Sequence, residues 1–94
     1  MKIRDFIWLD KIVQKLLWKH SVTQEEILEV FTNSPHFRFV EKGDRIGENV
    51  YYAAGQTDAG RYLIVFFVYK NSREALILSA RDMTKSERKK YARK

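Results

Sequence analysis

The chain has 94 residues and a formal net charge of +6, which leaves room for one small core, so a single domain over residues 1–94 is expected. Hydrophobic residues make up 45% and aromatic residues 14%, which excludes a disordered chain. No cysteine is present, which excludes disulfides, thiol catalysis and thiolate metal sites and makes a reducing, cytoplasmic setting the expectation.

The N-terminal run MKIRDFIWLDK interleaves charges with apolar residues, so neither a signal peptide nor a membrane span is expected. Leu9, Ile12, Val13, Leu16 and Leu17 recur at three- and four-residue steps. That spacing predicts a helix with one apolar face, running to about Lys19, with Lys11 and Lys15 on the other side. Basic amphipathic helices also lie on membranes, but a helix packed on its own core is far commoner, and no membrane partner is expected.

Thr23-Gln24-Glu25-Glu26 reads as a capping box, in which Thr23 and Glu26 each satisfy a backbone N–H at the helix start. A short helix follows, with Ile27, Val30 and Phe31 inward, ending near Asn33-Ser34-Pro35. Beyond Pro35 the period changes to two. Phe37 and Phe39 alternate with Arg38 and Val40 as a strand, which Lys42-Gly43-Asp44-Arg45 interrupts. A second strand is predicted over Val50 to Thr57, followed by the turn Asp58-Ala59-Gly60. Tyr62 to Tyr69 (YLIVFFVY) is apolar throughout, the pattern of a central strand covered on both faces. Ala75 to Arg81 forms the fourth predicted strand, with Ala75, Ile77, Ser79 and Arg81 on one face. Thr84-Lys85-Ser86-Glu87 is a second capping box and opens a helix to about Arg93. The expected order is α-α-β-β-β-β-α, an α+β fold with a four-stranded antiparallel sheet packed with helices.

The excess charge is concentrated at the end. Residues 1–80 hold eleven Lys and Arg against ten Asp and Glu, whereas residues 81–94 hold seven against two. Such a segment attracts a polyanion by counterion release, or else serves as a solvated, solubilising tail. The final helix has only Tyr91 and Ala92 to pack, so its own core stabilises it weakly, and a partner or ligand is a natural source of support.

No P-loop, dinucleotide fingerprint or nucleophile elbow occurs. His20 and His36 are sixteen residues apart, not at ligand spacing on one helix, so no metal and no other cofactor is expected. What remains is basic and aromatic. Cleaving RNA without metal needs a base for the 2′-hydroxyl, an acid for the leaving oxygen and cations for the phosphorane. Arg81 ends a strand beside the basic helix, and its planar fork matches phosphate oxygens; a surface strand-end arginine is the other reading. Tyr91 stacks a base, donates a proton or anchors the last helix. His20, at the end of the first helix, is either a helix cap or a group titrating near neutrality.

Trp18-Lys19-His20-Ser21-Val22 with Glu25, Glu26 and Glu29-Val30-Phe31, then Gly55-Gln56-Thr57 with Gly60-Arg61-Tyr62-Leu63, then Leu78-Ser79-Ala80-Arg81 with Thr84, Glu87 and Tyr91, stand in an order and spacing that resembles the BrnT toxins. The resemblance runs from about Trp18 to Tyr91. It implies the fold of RelE-type ribonucleases and a metal-independent endoribonuclease that inhibits translation by cleaving RNA. It also implies a BrnA-like antitoxin with a DNA-binding domain as partner, with two toxins on one antitoxin dimer. Carried over by motif, Arg81 is the first active-site candidate, with Lys19, His20, Arg61 and Tyr91 beside it. From the charge of the last helix, and not from the motifs, Lys85, Arg88 and Lys89 are the candidate RNA-binding residues. Two positions depart from the family pattern: Ser21 replaces the usual Gly, and Leu76 stands where relatives often carry Arg. The alternative function is a non-catalytic, toxin-like protein that binds RNA or a partner in transcriptional regulation.

Overall fold

Both predicted capping boxes form. Thr23 Oγ1 accepts from the Glu26 N–H while Glu26 accepts from the Thr23 N–H, and Thr84 and Glu87 make the same reciprocal pair. The computed structural model describes residues 1–93. They form β1 (Asp5–Ile7), α1 (Asp10–His20), α2 (Gln24–Thr32), β2 (His36–Arg45), β3 (Glu48–Gln56), β4 (Tyr62–Tyr69), β5 (Glu74–Asp82) and α3 (Lys85–Ala92). The class is α+β, but the sheet has five strands in the order β1-β5-β4-β3-β2 and is mixed. Four strands form the antiparallel meander expected. The addition is β1, which pairs in parallel with β5 through Asp5 to Ile7. Three residues are too few to show a period in sequence. Here they are held by backbone pairing to a neighbour some seventy positions away.

The β2 strand runs through the predicted break at Lys42-Gly43, with register shifts on either side of Glu41. Gly43 permits this, because a Cβ there would lie 1.9 Å from the Glu48 carbonyl oxygen. Central position falls to β4, as its composition implies. Leu63, Ile64, Val65 and Phe67 are buried, but Phe66 is only partly covered, so the second face of the sheet is roofed along part of its length.

The main core lies between the sheet and the pair α1–α2. Leu16, Val22, Ile27 and Val30 pack on Ala53, Leu63, Val65, Phe67, Ala75, Ile77 and Ala80. The approach of α2 to β3 is close at Gly55, where a Cβ would meet Val30 Cγ1 at 3.1 Å. The α1 stripe is narrower than its spacing predicts: Leu16 is buried, whereas Leu9 and Leu17 are exposed. Ser21 ends α1 in the left-handed region, at φ 53°, and its N–H donates to the Leu17 carbonyl.

The predicted face of β5 needs correction. Phe66 pairs with Ser79 and Phe67 with Ile77, which leaves Leu78 as an extra residue. A bulge of this kind reverses the alternation beyond it. Ala75 and Ile77 face the main core, and after the bulge Ala80 does so. Ser79 and Arg81 therefore point to the other side, where α3 lies. A smaller cluster holds α3 there: Ala54, Ile64 and Met83, with Tyr52, Tyr62, Phe66 and Tyr91 against it. No residue of α3 is itself buried.

Candidate active site

The bulge delivers Arg81 to the α3 side of the sheet, opposite Ile64. Its Nη1 and Nη2 donate to the two carboxylate oxygens of Glu87 at 2.7 and 2.9 Å, a parallel fork. The pair is partly open, with side-chain exposures of 38% and 32%. The Arg81 hydrogen bond, helped by the Thr84 N–H, holds the Glu87 carboxyl down at about 2 against an ordinary value of 4.5. Glu87 is thus a fixed anion at neutral pH and a weak base. The same bond raises Arg81, which stays a cation throughout.

Beside this pair lies a cleft of about 100 Å³, between α3 and the strands β2 to β4. His36, Arg38, Tyr52, Lys90 and Tyr91 line it, with Glu87 at its edge. Its size is far below the roughly 300 Å³ of a small-molecule pocket. It suits one phosphate of a polymer lying across the surface. His36 and Arg38 are two residues apart on β2, opposite Ala54 and Tyr52, so both face the cleft. The His36 and Tyr91 rings lie 4.6 Å apart, and Tyr91 meets Tyr62 edge-on at 6.0 Å. The Arg88 guanidinium covers the Tyr62 ring at 4.3 Å. These aromatic contacts hold α3 in the absence of an apolar stripe.

Of the residues expected from sequence, Arg81 and Tyr91 meet at this site. Lys85, Arg88 and Lys89 lie exposed on the adjoining helix, and Lys90, which the sequence did not single out, lines the cleft. Lys19, His20 and Arg61 lie elsewhere, at the α1–α2 side. There Arg61 Nη1 and Nη2 donate to the Ser21 and His20 carbonyls at 2.8 and 2.9 Å. Its guanidinium also reaches Glu26 at 3.2 Å and Asp82 at 2.8 Å. Asp82 is held low and Arg61 high by this contact. The guanidinium is engaged on every nitrogen, and its role is to tie the end of α1 and the α2 capping box to β5.

His36, Arg38, Tyr52 and Lys90 were missed as site residues. For His36 and Arg38 a signal existed: the alternation at Phe37 and Phe39 puts His36 and Arg38 together on the opposite face of the strand. Among the described residues, no three His, Asp or Glu side chains group as metal ligands. No helix among them is long and apolar enough to cross a membrane.

An α+β protein with a cationic, aromatic cleft open along one sheet face belongs to the class that handles a polyanion. The family model described as the ribonuclease toxin BrnT of type II toxin–antitoxin systems matches residues 8–87, and the chain belongs to that family. It is accordingly a ribonuclease toxin of a type II system, for which an antitoxin is the partner and RNA the substrate. In fold it is similar to the Brucella abortus ribonuclease toxin BrnT, solved at 1.1 Å resolution: TM-score 0.67, 22% identity, 86% of this chain and 97% of that chain covered. No curated protein sequence matches significantly.

Proposed function

We propose that this chain is a single-domain, metal-independent endoribonuclease of RelE-type fold that cuts RNA in the cleft between α3 and the sheet and so inhibits translation. The observation that carries the proposal is the convergence of Arg81, Arg38, Lys90, His36 and Tyr91 on one open face. In this reading the imidazole of His36, which lines the cleft, takes the 2′-hydroxyl proton. The 2′-oxygen attacks phosphorus, the bond to the 5′-oxygen breaks, and the Tyr91 hydroxyl protonates the leaving oxygen. Arg81, aligned by Glu87, stabilises the phosphorane with Arg38 and Lys90. Lys85, Arg88 and Lys89 contribute long-range attraction to the RNA backbone. Lys19, His20 and Arg61 act structurally, at the far side of the sheet.

The partner in this proposal is a BrnA-like antitoxin with a DNA-binding domain, two toxins being held by one antitoxin dimer in the cytoplasm. An acidic, amphipathic segment laid along α3 would neutralise its charge and close the cleft. Inducible expression in a bacterial host tests the reading. Wild-type protein should arrest growth and shorten messenger RNA, and Arg81→Ala should do neither. Growth arrest with intact RNA would contradict it.

A further inference from the structure

We infer that the sheet face extending from the cleft holds a second subsite, a stacking platform for one unpaired nucleobase of the bound RNA, built from Phe66 and from Tyr52, which also lines the cleft. The inference rests on the ribonuclease reading and extends it from the scissile phosphate to the neighbouring base. Direct pairing places Arg38 opposite Tyr52, Tyr52 opposite Phe66 and Phe66 opposite Ser79. Residues paired in this way share a face, so the four form one row across β2, β3, β4 and β5. The adjoining row on that face, His36, Ala54, Ile64 and Arg81, lies under α3. The two rows are two residues apart along each strand, about 6.7 Å, within the reach of one nucleotide of an unstacked chain.

The second row is not roofed. Arg38 and Ser79 are exposed, and Tyr52 and Phe66 are only partly buried. The two rings sit 6.0 Å apart at 70°, and the Arg81 guanidinium lies 5.7 Å from the Phe66 centroid. Aromatic side chains on an open sheet, flanked by cations, form a surface that binds unpaired bases through stacking. The Leu78 bulge is needed for this arrangement. Without it Ser79 and Arg81 would face the main core, and neither the cation nor the end of the row would stand beside Phe66. Arg81 lies over Phe66 and is paired with Glu87 at the cleft edge, which would hold the stacked base and the reacting phosphate in fixed relation.

The test measures binding of the full chain to a short single-stranded RNA carrying 2′-O-methyl groups, which cannot be cut, by fluorescence anisotropy. An abasic residue is moved along the RNA one position at a time. With wild-type protein, one position should weaken binding about tenfold, the order expected for a lost stack. In Tyr52→Leu/Phe66→Leu that position should matter no more than its neighbours. Tyr52→Phe, which keeps the ring, should restore the sensitivity that Tyr52→Leu loses. The abasic scan uses unaltered protein, so misfolding of a variant leaves it informative. Equal loss at every position overturns the platform. So does a variant that loses antitoxin binding while the wild-type scan is flat, which would assign the surface to the antitoxin. Because the RNA is not cut, these outcomes are read separately from cleavage. A protein that binds with one sensitive position yet cleaves nothing would sink the ribonuclease reading and keep the platform.

Discussion

Replacing Arg61 by alanine separates architecture from chemistry, because the family resemblance places Arg61 in the active site and the structure places it in a joint. The guanidinium donates to the His20 and Ser21 carbonyls at the end of α1 and to both Glu26 oxygens, where the two side chains are each only 26% exposed. Its bonds to Asp82 count for less, since that carboxylate is 63% exposed and well screened. Hydrogen bonds to charged groups contribute about 1.5–3 kcal/mol each when buried, and those near the surface fall at the low end. At that low end the two bonds to backbone carbonyls alone come to about 3 kcal/mol, a fall in Tm of roughly 12–24 °C for a domain of this size. Arg61→Lys should recover little, because an ammonium cannot serve several acceptors set around a planar fork. The assay is thermal unfolding by circular dichroism, paired with RNA cleavage at a temperature where the variant is folded. Cleavage per folded molecule should persist. An unchanged Tm with cleavage abolished would refute the structural assignment and return Arg61 to the chemistry.

Ser21→Gly should stabilise the protein by about 0.5–1 kcal/mol, because Ser21 sits at φ 53°, where glycine carries no Cβ penalty; an unchanged or lower Tm would count against a strained helix end. Glu87 ionises at about 2 in the folded protein against an ordinary 4.5. Its pair with Arg81 therefore contributes fully above about pH 4.5, and the contribution is lost as pH falls towards 2. Unfolding measured between pH 6 and 2 should show a shallower decline for Glu87→Gln than for wild type, and equal slopes would contradict the pairing. Lys89→Ala should lower the slope of log affinity for single-stranded RNA against log salt by roughly 0.7, with little effect on the cleavage step; a large loss of catalytic rate would move Lys89 into the site.

Much of this fold could be read from local rules. The capping boxes at Thr23 and Thr84, the apolar run of β4 and the alternation at Phe37 and Phe39 each record a short-range constraint, and each element formed. What escaped depended on partners distant in sequence. The β1 strand exists only through its pairing with β5. The Leu78 bulge, which decides the side on which Arg81 emerges, has no local signature in the residues around it. The site shows the same division. Arg81 and Tyr91 were singled out by chemistry and motif, whereas Lys90 and Tyr52 become site residues only when α3 folds over the sheet. Motif position alone does not separate Arg61 from Arg81. Both are strand-end arginines facing a capping-box glutamate, and what distinguishes them is that Arg61 is saturated with backbone and carboxylate acceptors while Arg81 borders an open cleft.

The most direct test of the central claim is cleavage of single-stranded RNA by the purified, antitoxin-free protein in excess chelator, with the product ends mapped. Wild-type protein should cut and leave 2′,3′-cyclic phosphate ends, as attack by the 2′-oxygen requires. Arg81→Ala, folded by circular dichroism, should cut about a hundredfold or more slowly, the magnitude for loss of a transition-state charge partner. His36→Ala should be similarly impaired. Full activity in both variants, or cleavage by wild type that stops in chelator while the protein stays folded, would contradict the account.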